Sequence, residues 1–318
     1  MFLNFEKWHG ARNDFIVTWI SATDGDVVLD SLRRVAPRLC DRWGSGIAAD
    51  GILVLQTSKK SDLTPHKLTI INSDGSTAKN CGNGLRCAAL SVLRHHRLSR
   101  DAGNPTEIPE AVELEVEGTT KVCRFAHGSG KSTWPHVTVE MGVARVNADC
   151  SWFESARGEV ERVAKELNLP ELSKDFGVCE IGNPHLVFFL DEASREKIRR
   201  IGPAFQKSRH WDGINVHIAH VEEVADKDKS SAKNTIGHKL TDLYRAWVWE
   251  RGAGETQACG SGACAIVTCA YASGTTSRSD WVAVDMPGGR LYVRQGDEDA
   301  EVELAGPGEF VFEGVLEI

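Results

Sequence analysis

The stretch CGNGLRCAAL, Cys81 to Leu90, recurs as CGSGACAIVT at residues 259–268, and this pair decides how the chain is read. In each copy Cys-Gly-x-Gly runs into a helix of small apolar residues, with Leu85, Ala88, Ala89 and Val92 in the first and Ala263, Ala265, Ile266 and Ala270 in the second. Nine residues ahead of each cysteine a polar residue stands at a strand end, Asn72 or Glu250. Further back, Asn13 in RNDFIV and Asn183 in GNPHLV open apolar strands 68 and 76 residues before the cysteines, and AADGILVL (48–55) resembles WDGINVHI (211–218). Similar elements repeated in the same order imply two similar halves.

Working outward, period-2 and β-branched segments predict strands at Ile16–Ile20, Gly51–Leu55, Lys67–Ile71, Val112–Gly118, His136–Gly142, Leu186–Leu190, Ile214–Val221 and Tyr244–Glu250. Helical patterning predicts Leu29–Trp43, Asn83–Leu98, Ser155–Asn168, Ser194–Gln206 and Gly260–Ser273. The class is α+β or mixed α/β. A Gly, Ser and Pro-rich stretch, GSGKSTWP at 128–135, marks the boundary between the halves, and the polar stretch Glu222–Lys239 reads as an exposed loop.

Bulk properties narrow the function. The chain has 318 residues, 41% hydrophobic and 26% charged, enough for two cores. A net charge of −8 without like-charge blocks offers no basic surface for nucleic acid or an anionic membrane, which leaves a small-molecule partner. Glu6, Lys7, Arg12 and Asp14 interrupt the start where a signal peptide would need an apolar run, and no later run is long enough to span a bilayer, so a cytoplasmic protein is expected. Nine cysteines without CxxC or Cys/His ligand spacing support neither a disulfide framework nor a zinc site, and no metal is expected.

The two cysteines carry the chemistry. Each stands at a helix start, where unsatisfied N–H groups and the positive end of the helix dipole form an anion site, and the glycines let a ligand approach the backbone. A helix N-terminus supplies up to about 2 kcal/mol, enough to bring a thiol from about 8.5 to about 7. Two such thiols on opposite faces of one carbon would invert a stereocentre, one removing the α-proton while the other delivers a proton. Cys40, Cys87, Cys123, Cys150, Cys179, Cys264 and Cys269 read as packed apolar residues. His185 and Glu250, at corresponding edges of the repeat, either tune the thiols or satisfy local hydrogen bonds.

INSDGSTAKNCGNGLRC, IGNPH and YRAWVWERGAGETQACGSGACA resemble the signature segments of the diaminopimelate epimerase family, and the likeness runs from HGARNDF to GPGEFVFEG. The resemblance implies two pseudo-symmetric α/β domains, each an antiparallel sheet wrapped round a central helix, with the last strand, Phe310–Ile318, returning to the first. The expected division is therefore 1–130 with 307–318, carrying Cys81, and 131–306, carrying Cys259, with the active site in the cleft between them. It also implies a homodimeric enzyme, independent of pyridoxal phosphate or any other cofactor, that interconverts LL- and meso-diaminopimelate in lysine and peptidoglycan precursor synthesis. By motif, Cys81 and Cys259 are the acid/base pair, with His185 and Glu250 beside them. Gly82-Asn83 and Gly260-Ser261 would hold the reacting carboxylate through backbone N–H groups. Asn13, Asn72, Asn183, Asn215 and Arg251 would hold the rest of the substrate, Arg251 at the distal carboxylate. The chain departs from the family pattern at Gly51, where many members have Gln, and at Arg12, where Gly is common. A racemase or epimerase of another amino acid, such as hydroxyproline or a basic amino acid, is the alternative within this chemistry; a thiol-disulfide oxidoreductase and a non-catalytic binding protein are the alternatives outside it.

Overall fold

The computed structural model describes residues 2–317 except 22, 24, 45, 58–65, 79–80, 100–107, 127–133, 209–210, 212, 226, 228–235, 237–239 and 279. Most of the stretch 128–135 and most of the 222–239 loop therefore lie outside the described residues. The chain divides into two units, Met1–Glu140 with Gly306–Ile318, and Met141–Ala305.

Unit 1 contains β1 (Phe2–Gly10), β2 (Asn13–Ser21), α1 (Gly25–Leu39), β3 (Gly51–Thr57), β4 (His66–Asn72), β5 (Thr77–Ala78), α2 (Gly82–Ser99), β6 (Ala111–Val116), β7 (Thr119–Phe125) and β8 (Val137–Glu140). Unit 2 contains β9 (Arg145–Val146), α3 (Phe153–Leu167), β10 (Phe176–Ile181), β11 (Asn183–Phe189), α4 (Arg195–Phe205), β12 (Asn215–Glu222), β13 (Leu240–Glu250), β14 (Gly254–Thr256), α5 (Gly260–Ala272), β15 (Trp281–Met286), β16 (Gly289–Arg294) and β17 (Glu303–Gly306). The last strand, β18 (Glu309–Glu317), pairs antiparallel with β1 in unit 1.

The pairing pattern repeats. In unit 1, β1–β2 is antiparallel, β2–β3 parallel, β3–β4 and β4–β5 antiparallel, β4–β6 parallel, and β6–β7 and β7–β8 antiparallel. Unit 2 runs through the same sequence from β10 to β17: β10–β11 antiparallel, β11–β12 parallel, β12–β13 and β13–β14 antiparallel, β13–β15 parallel, then β15–β16 and β16–β17 antiparallel. Within this mixed α/β class, two parallel pairs per unit interrupt an otherwise antiparallel sheet, because a helix-bearing crossover (α1, α2, α4 or α5) joins partners that no tight turn could.

Both cysteine helices are central to their units. α2 contacts β1, β2, β3, β6, β7 and β8, and α5 contacts β9, β10, β11, β12 and β16. Every residue of α5 from Gly262 to Tyr271 is buried, which explains its lack of an amphipathic stripe: a helix hydrophobic all round belongs inside. The amphipathic helices cover the opposite faces. In unit 1, Val28, Leu29, Leu32 and Ala36 of α1 pack with Ile16, Ile52, Val54 and Ile71. In unit 2, Val160 and Val163 of α3 and Ile198, Ile201 and Phe205 of α4 pack with Leu186, Phe188, Val216 and Ile218. Burying each such side chain is worth about 1.5–3 kcal/mol, so these layers hold the sheets on which the polar residues stand.

The structure differs from the sequence expectation in three local respects. α1 ends at Leu39 rather than Trp43, and Trp43 is 96% exposed. The strand expected over Val112–Gly118 stops at Val116, because Glu117 and Gly118 both take positive φ and turn the chain back into β7. Strands β1, β7, β10, β15, β16 and β17 and the short strands β5, β9 and β14 are not among those the sequence reading predicts. Among the described residues, no helix is long and apolar enough to cross a membrane.

Candidate functional site

In unit 2 the residues singled out by sequence gather at one end of α5. Cys259 is its N-cap, with extended backbone (φ −132°, ψ 113°), and its Sγ accepts the Gly262 N–H at 3.3 Å. The Ser261 hydroxyl lies 3.6 Å from the same sulfur, and the Cys259 N–H is donated to Met286 Sδ at 3.3 Å. The cap uses the third N–H of the helix; those of Gly260 and Ser261, the first two, have no acceptor within the helix. Glu250, at the end of β13, accepts the Thr256 hydroxyl at 2.5 Å and also a hydrogen bond from the Cys259 thiol.

The expectation that the helix end lowers the Cys259 pKa is not met. Burial pushes the thiol well above its ordinary value, the Glu250 charge pushes it further, and the bonds from Ser261 and Gly262 offset only part. Desolvation outweighs the dipole. The other cysteines fit their reading as packing residues: burial drives Cys87 and Cys123 up to about 12 and Cys40 and Cys150 up to about 11. No disulfide joins any of the nine.

Asn215 and His185 stand on adjacent strands in register. The Asn215 side chain is engaged with backbone, accepting the Arg251 N–H at 3.0 Å and donating to the Pro184 carbonyl at 3.4 Å. It ties the end of β13 to the start of β11. Arg251 is exposed and Asn183 half-buried. His185 is fully buried; burial and then the Arg251 charge push it down to about 3, so its ring is neutral. Its Nδ1 lies 2.9 Å from Nε2 of His217, a residue the sequence reading passed over although its period-2 spacing from Asn215 puts it on the same face.

Unit 1 repeats the cap. Cys81 is half-buried and its Sγ accepts the Gly84 N–H, again at 3.3 Å, leaving Gly82 and Asn83 as the first two helical N–H groups. Around it runs a chain of side-chain bonds. Asn83 donates to Asn13 Oδ1 at 3.1 Å and accepts from Arg86 at 2.5 Å, while Asn13 donates to Asp50 at 2.5 Å. Arg42 bridges Asp14 and Asp50, and Lys7 pairs with Asp14 at 2.6 Å. Asp50, Arg42 and Arg86 are absent from the sequence reading: Asp50 meets Asn13 and Arg42 meets Asp14 across 37 and 28 residues, whereas Arg86 stands three residues from Asn83, an i,i+3 spacing that could have revealed it. Asn72 donates to the Ser76 hydroxyl at 2.9 Å. No side chain fits at Gly51, where a Cβ would lie 2.6 Å from the Ile71 carbonyl oxygen.

Comparison with known proteins agrees with this twofold construction. A sequence model of the diaminopimelate epimerase family matches residues 5–145 and 177–311. The diaminopimelate epimerase of Geobacillus kaustophilus is 33% identical over 98% of this chain and 96% of its own, and that of Bacillus subtilis 30% identical over 98% and 97%. Among solved structures, a PhzF-family phenazine biosynthesis protein from Bacillus anthracis matches over 100% of both chains with a TM-score of 0.67 at 12% identity. A hydroxyproline epimerase from Agrobacterium vitis covers 99% of this chain and 91% of its own, with a TM-score of 0.60 at 13% identity. At such identities the likeness is one of fold.

Proposed function

We propose, given that this chain belongs to the diaminopimelate epimerase family, an isomerase family, that it interconverts LL- and meso-diaminopimelate without a cofactor, with Cys81 and Cys259 as the acid/base pair. The observation that carries this reading is the cysteine N-cap built twice, each Sγ held by the N–H three residues on, at the same step of a repeated strand pattern. The reading requires the halves, 1–130 with 307–318 and 131–306, to close on one substrate so that the thiols face opposite sides of its α-carbon.

In one direction a thiolate takes the α-proton and the opposing thiol gives its proton to the other face; in the reverse direction the roles exchange. Cys259, held as a thiol by burial and by Glu250, is poised as a proton donor, and Glu250 is placed to take that proton when Cys259 must act as base. Charge developing on the substrate carboxylate would be met by the N–H groups of Gly82, Asn83, Gly260 and Ser261, which need no reorganisation. Asn13, Asn72, Asn183 and Asn215 line the approach, directly or by holding backbone, and the exposed Arg251 is suited to a distal carboxylate. A homodimer, a cytoplasmic location and a place in lysine and peptidoglycan precursor synthesis belong to the same proposal.

The test is proton exchange. LL-diaminopimelate is incubated with the reduced protein in deuterated water, and wild type is compared with Cys81→Ser and Cys259→Ser by NMR. Deuterium at one α-carbon together with meso product, and turnover lost in both variants, is the expected result. Exchange only with another amino acid would move the substrate while keeping the chemistry, and no exchange with any would overturn the reading.

A further inference from the structure

We propose that His217 is a positioning residue for this reaction: one hydrogen bond from its ring ties the tautomer of His185 to its own, and the ring itself seats the turn that holds Cys259. The inference rests on the role proposed above for Cys259 and on the place beside the acid/base pair that the family resemblance implies for His185.

Strand register places the groups. His185 stands beside Asn215, and His217 is two residues further along β12 on the same face, the face that α5 covers. His185 Nδ1 and His217 Nε2 are 2.9 Å apart, and both residues are fully buried. The remaining nitrogens, His185 Nε2 and His217 Nδ1, are buried and have no hydrogen-bond partner within the described structure. The His217 ring also fills the space over Gly262, where a Cβ would overlap it. Gly262 is the residue whose N–H holds the Cys259 sulfur.

The repeat supplies a control. At the same steps of unit 1, Phe15 stands beside Gly51 and Leu53 lies two residues on. Leu53 reaches Gly84, whose Cβ would sit 3.1 Å from Leu53 Cδ2, just as His217 reaches Gly262. Packing beneath a capped turn is thus met by a leucine and a phenylalanine. Two imidazoles in those places bury four nitrogens, which burial disfavours unless they are used.

Their use follows from counting protons. Burial holds both rings neutral, His185 down to about 3 and His217 well below its ordinary value. A neutral imidazole carries one N–H, so the pair has two protons, one of them in the bond between the rings. The outer nitrogens therefore share a single proton, and the two rings must carry their protons on nitrogens of the same name, both Nε2 or both Nδ1. His185 Nε2, the nitrogen left without a partner, is a donor in the first case and an acceptor in the second. Without His217 the tautomer of His185 is tied to nothing.

The test measures both tautomers and turnover. Long-range proton–nitrogen correlation on the histidine-labelled holo-length protein should show matched tautomers for His185 and His217; mismatched tautomers, or two protonated outer nitrogens, would overturn the inference. His217→Leu copies the packing of unit 1, and should lower kcat at least about tenfold with KM changed less than about threefold, while His185 becomes a tautomer mixture. His217→Gln, whose carboxamide can donate to or accept from Nδ1, should recover kcat to within about threefold of wild type. Unaltered kcat and His185 signals in His217→Leu would sink the idea. Should His217→Leu not fold, the wild-type tautomers and His217→Gln decide. An inactive wild type would refute the proposed reaction, whereas an active wild type with mismatched tautomers would refute this inference alone.

Discussion

Beside Cys81, the residue at the end of the preceding long strand is Asn72; beside Cys259 it is Glu250. Beneath Gly84 lies Leu53; beneath Gly262 lies His217. The two caps share one backbone design and one sulfur–N–H distance, 3.3 Å, yet Cys81 is half-buried while Cys259 is buried against a carboxylate. Duplicated topology settles where a thiol sits. Its protonation is set first by how deeply it is buried and then by the side chains in which the halves differ.

The largest expected effect comes from making unit 2 like unit 1 at its carboxylate. Glu250→Gln removes the negative charge that disfavours the Cys259 thiolate, so the thiol pKa must move down, although burial still holds it above the ordinary value. If Cys259 and Glu250 act as proposed, epimerase activity should nevertheless fall by about 10²–10⁴, because Cys259 would lose its proton acceptor. The pH dependence of Cys259 alkylation, followed by mass spectrometry, should shift to lower pH. A shift upward, or activity within threefold of wild type, would break the comparison.

The histidine pair predicts an acid sensitivity that a leucine pair lacks. Both rings have folded pKa values below the unfolded value of about 6.5, so the unfolded chain binds more protons as pH falls. Their stability contribution is complete above about pH 6.5 and is lost toward the folded pKa, about 3 for His185. At about 1.4 kcal/mol per pH unit, His185 should cost about 2 kcal/mol at pH 5, and His217 adds a cost of the same sign. His136 of unit 1, pushed down to about 4 by burial and the Arg86 charge, adds to the loss in any variant. Urea unfolding at pH 7.5 and pH 5 should therefore show His217→Leu losing less stability than wild type; equal losses would mean that His217 is not buried neutral.

Much of this was readable before any coordinates. Glycine and small-residue spacing gave both cysteine helices, and the order of Asn13, Asn72, Cys81 and Asn183, Glu250, Cys259 gave the repeat, since helix starts and strand ends are written in local residues. Residue environments were less accessible. The helix-dipole argument alone mispredicts Cys259, because the competing burial comes from strands up to about a hundred residues away. Asn215 reads as a substrate ligand in sequence, whereas its amide spans two strands through the Pro184 carbonyl and the Arg251 N–H. His217 lies two residues from Asn215, but only the packing of α5 onto that face makes it part of the cap.

The smallest expected effect lies where the halves turn into the strands that open with Asn13 and Asn183. In unit 2 the bend before Asn183 is Gly182, at φ 72°, where glycine carries no steric cost. In unit 1 the pair Gly10↔Asn13 closes a two-residue hairpin loop, and both loop residues, Ala11 (φ 52°) and Arg12 (φ 64°), are left-handed. That is the type I′ geometry, in which the second position favours glycine, and a side chain there costs about 1 kcal/mol. Arg12 is exposed, so Arg12→Gly removes this strain without opening a cavity. The gain is partly offset by the greater freedom of glycine in the unfolded chain, leaving about 0.5–1 kcal/mol, a rise of roughly 1–4 °C in Tm. Activity should stay within about twofold, because Asn13 remains fixed by Asp50 and Asn83. A lower Tm would mean that Arg12 makes a stabilising contact outweighing its backbone strain; an unchanged Tm with lost activity would mean that the turn itself, and not the bonds to Asn13, presents that residue to substrate.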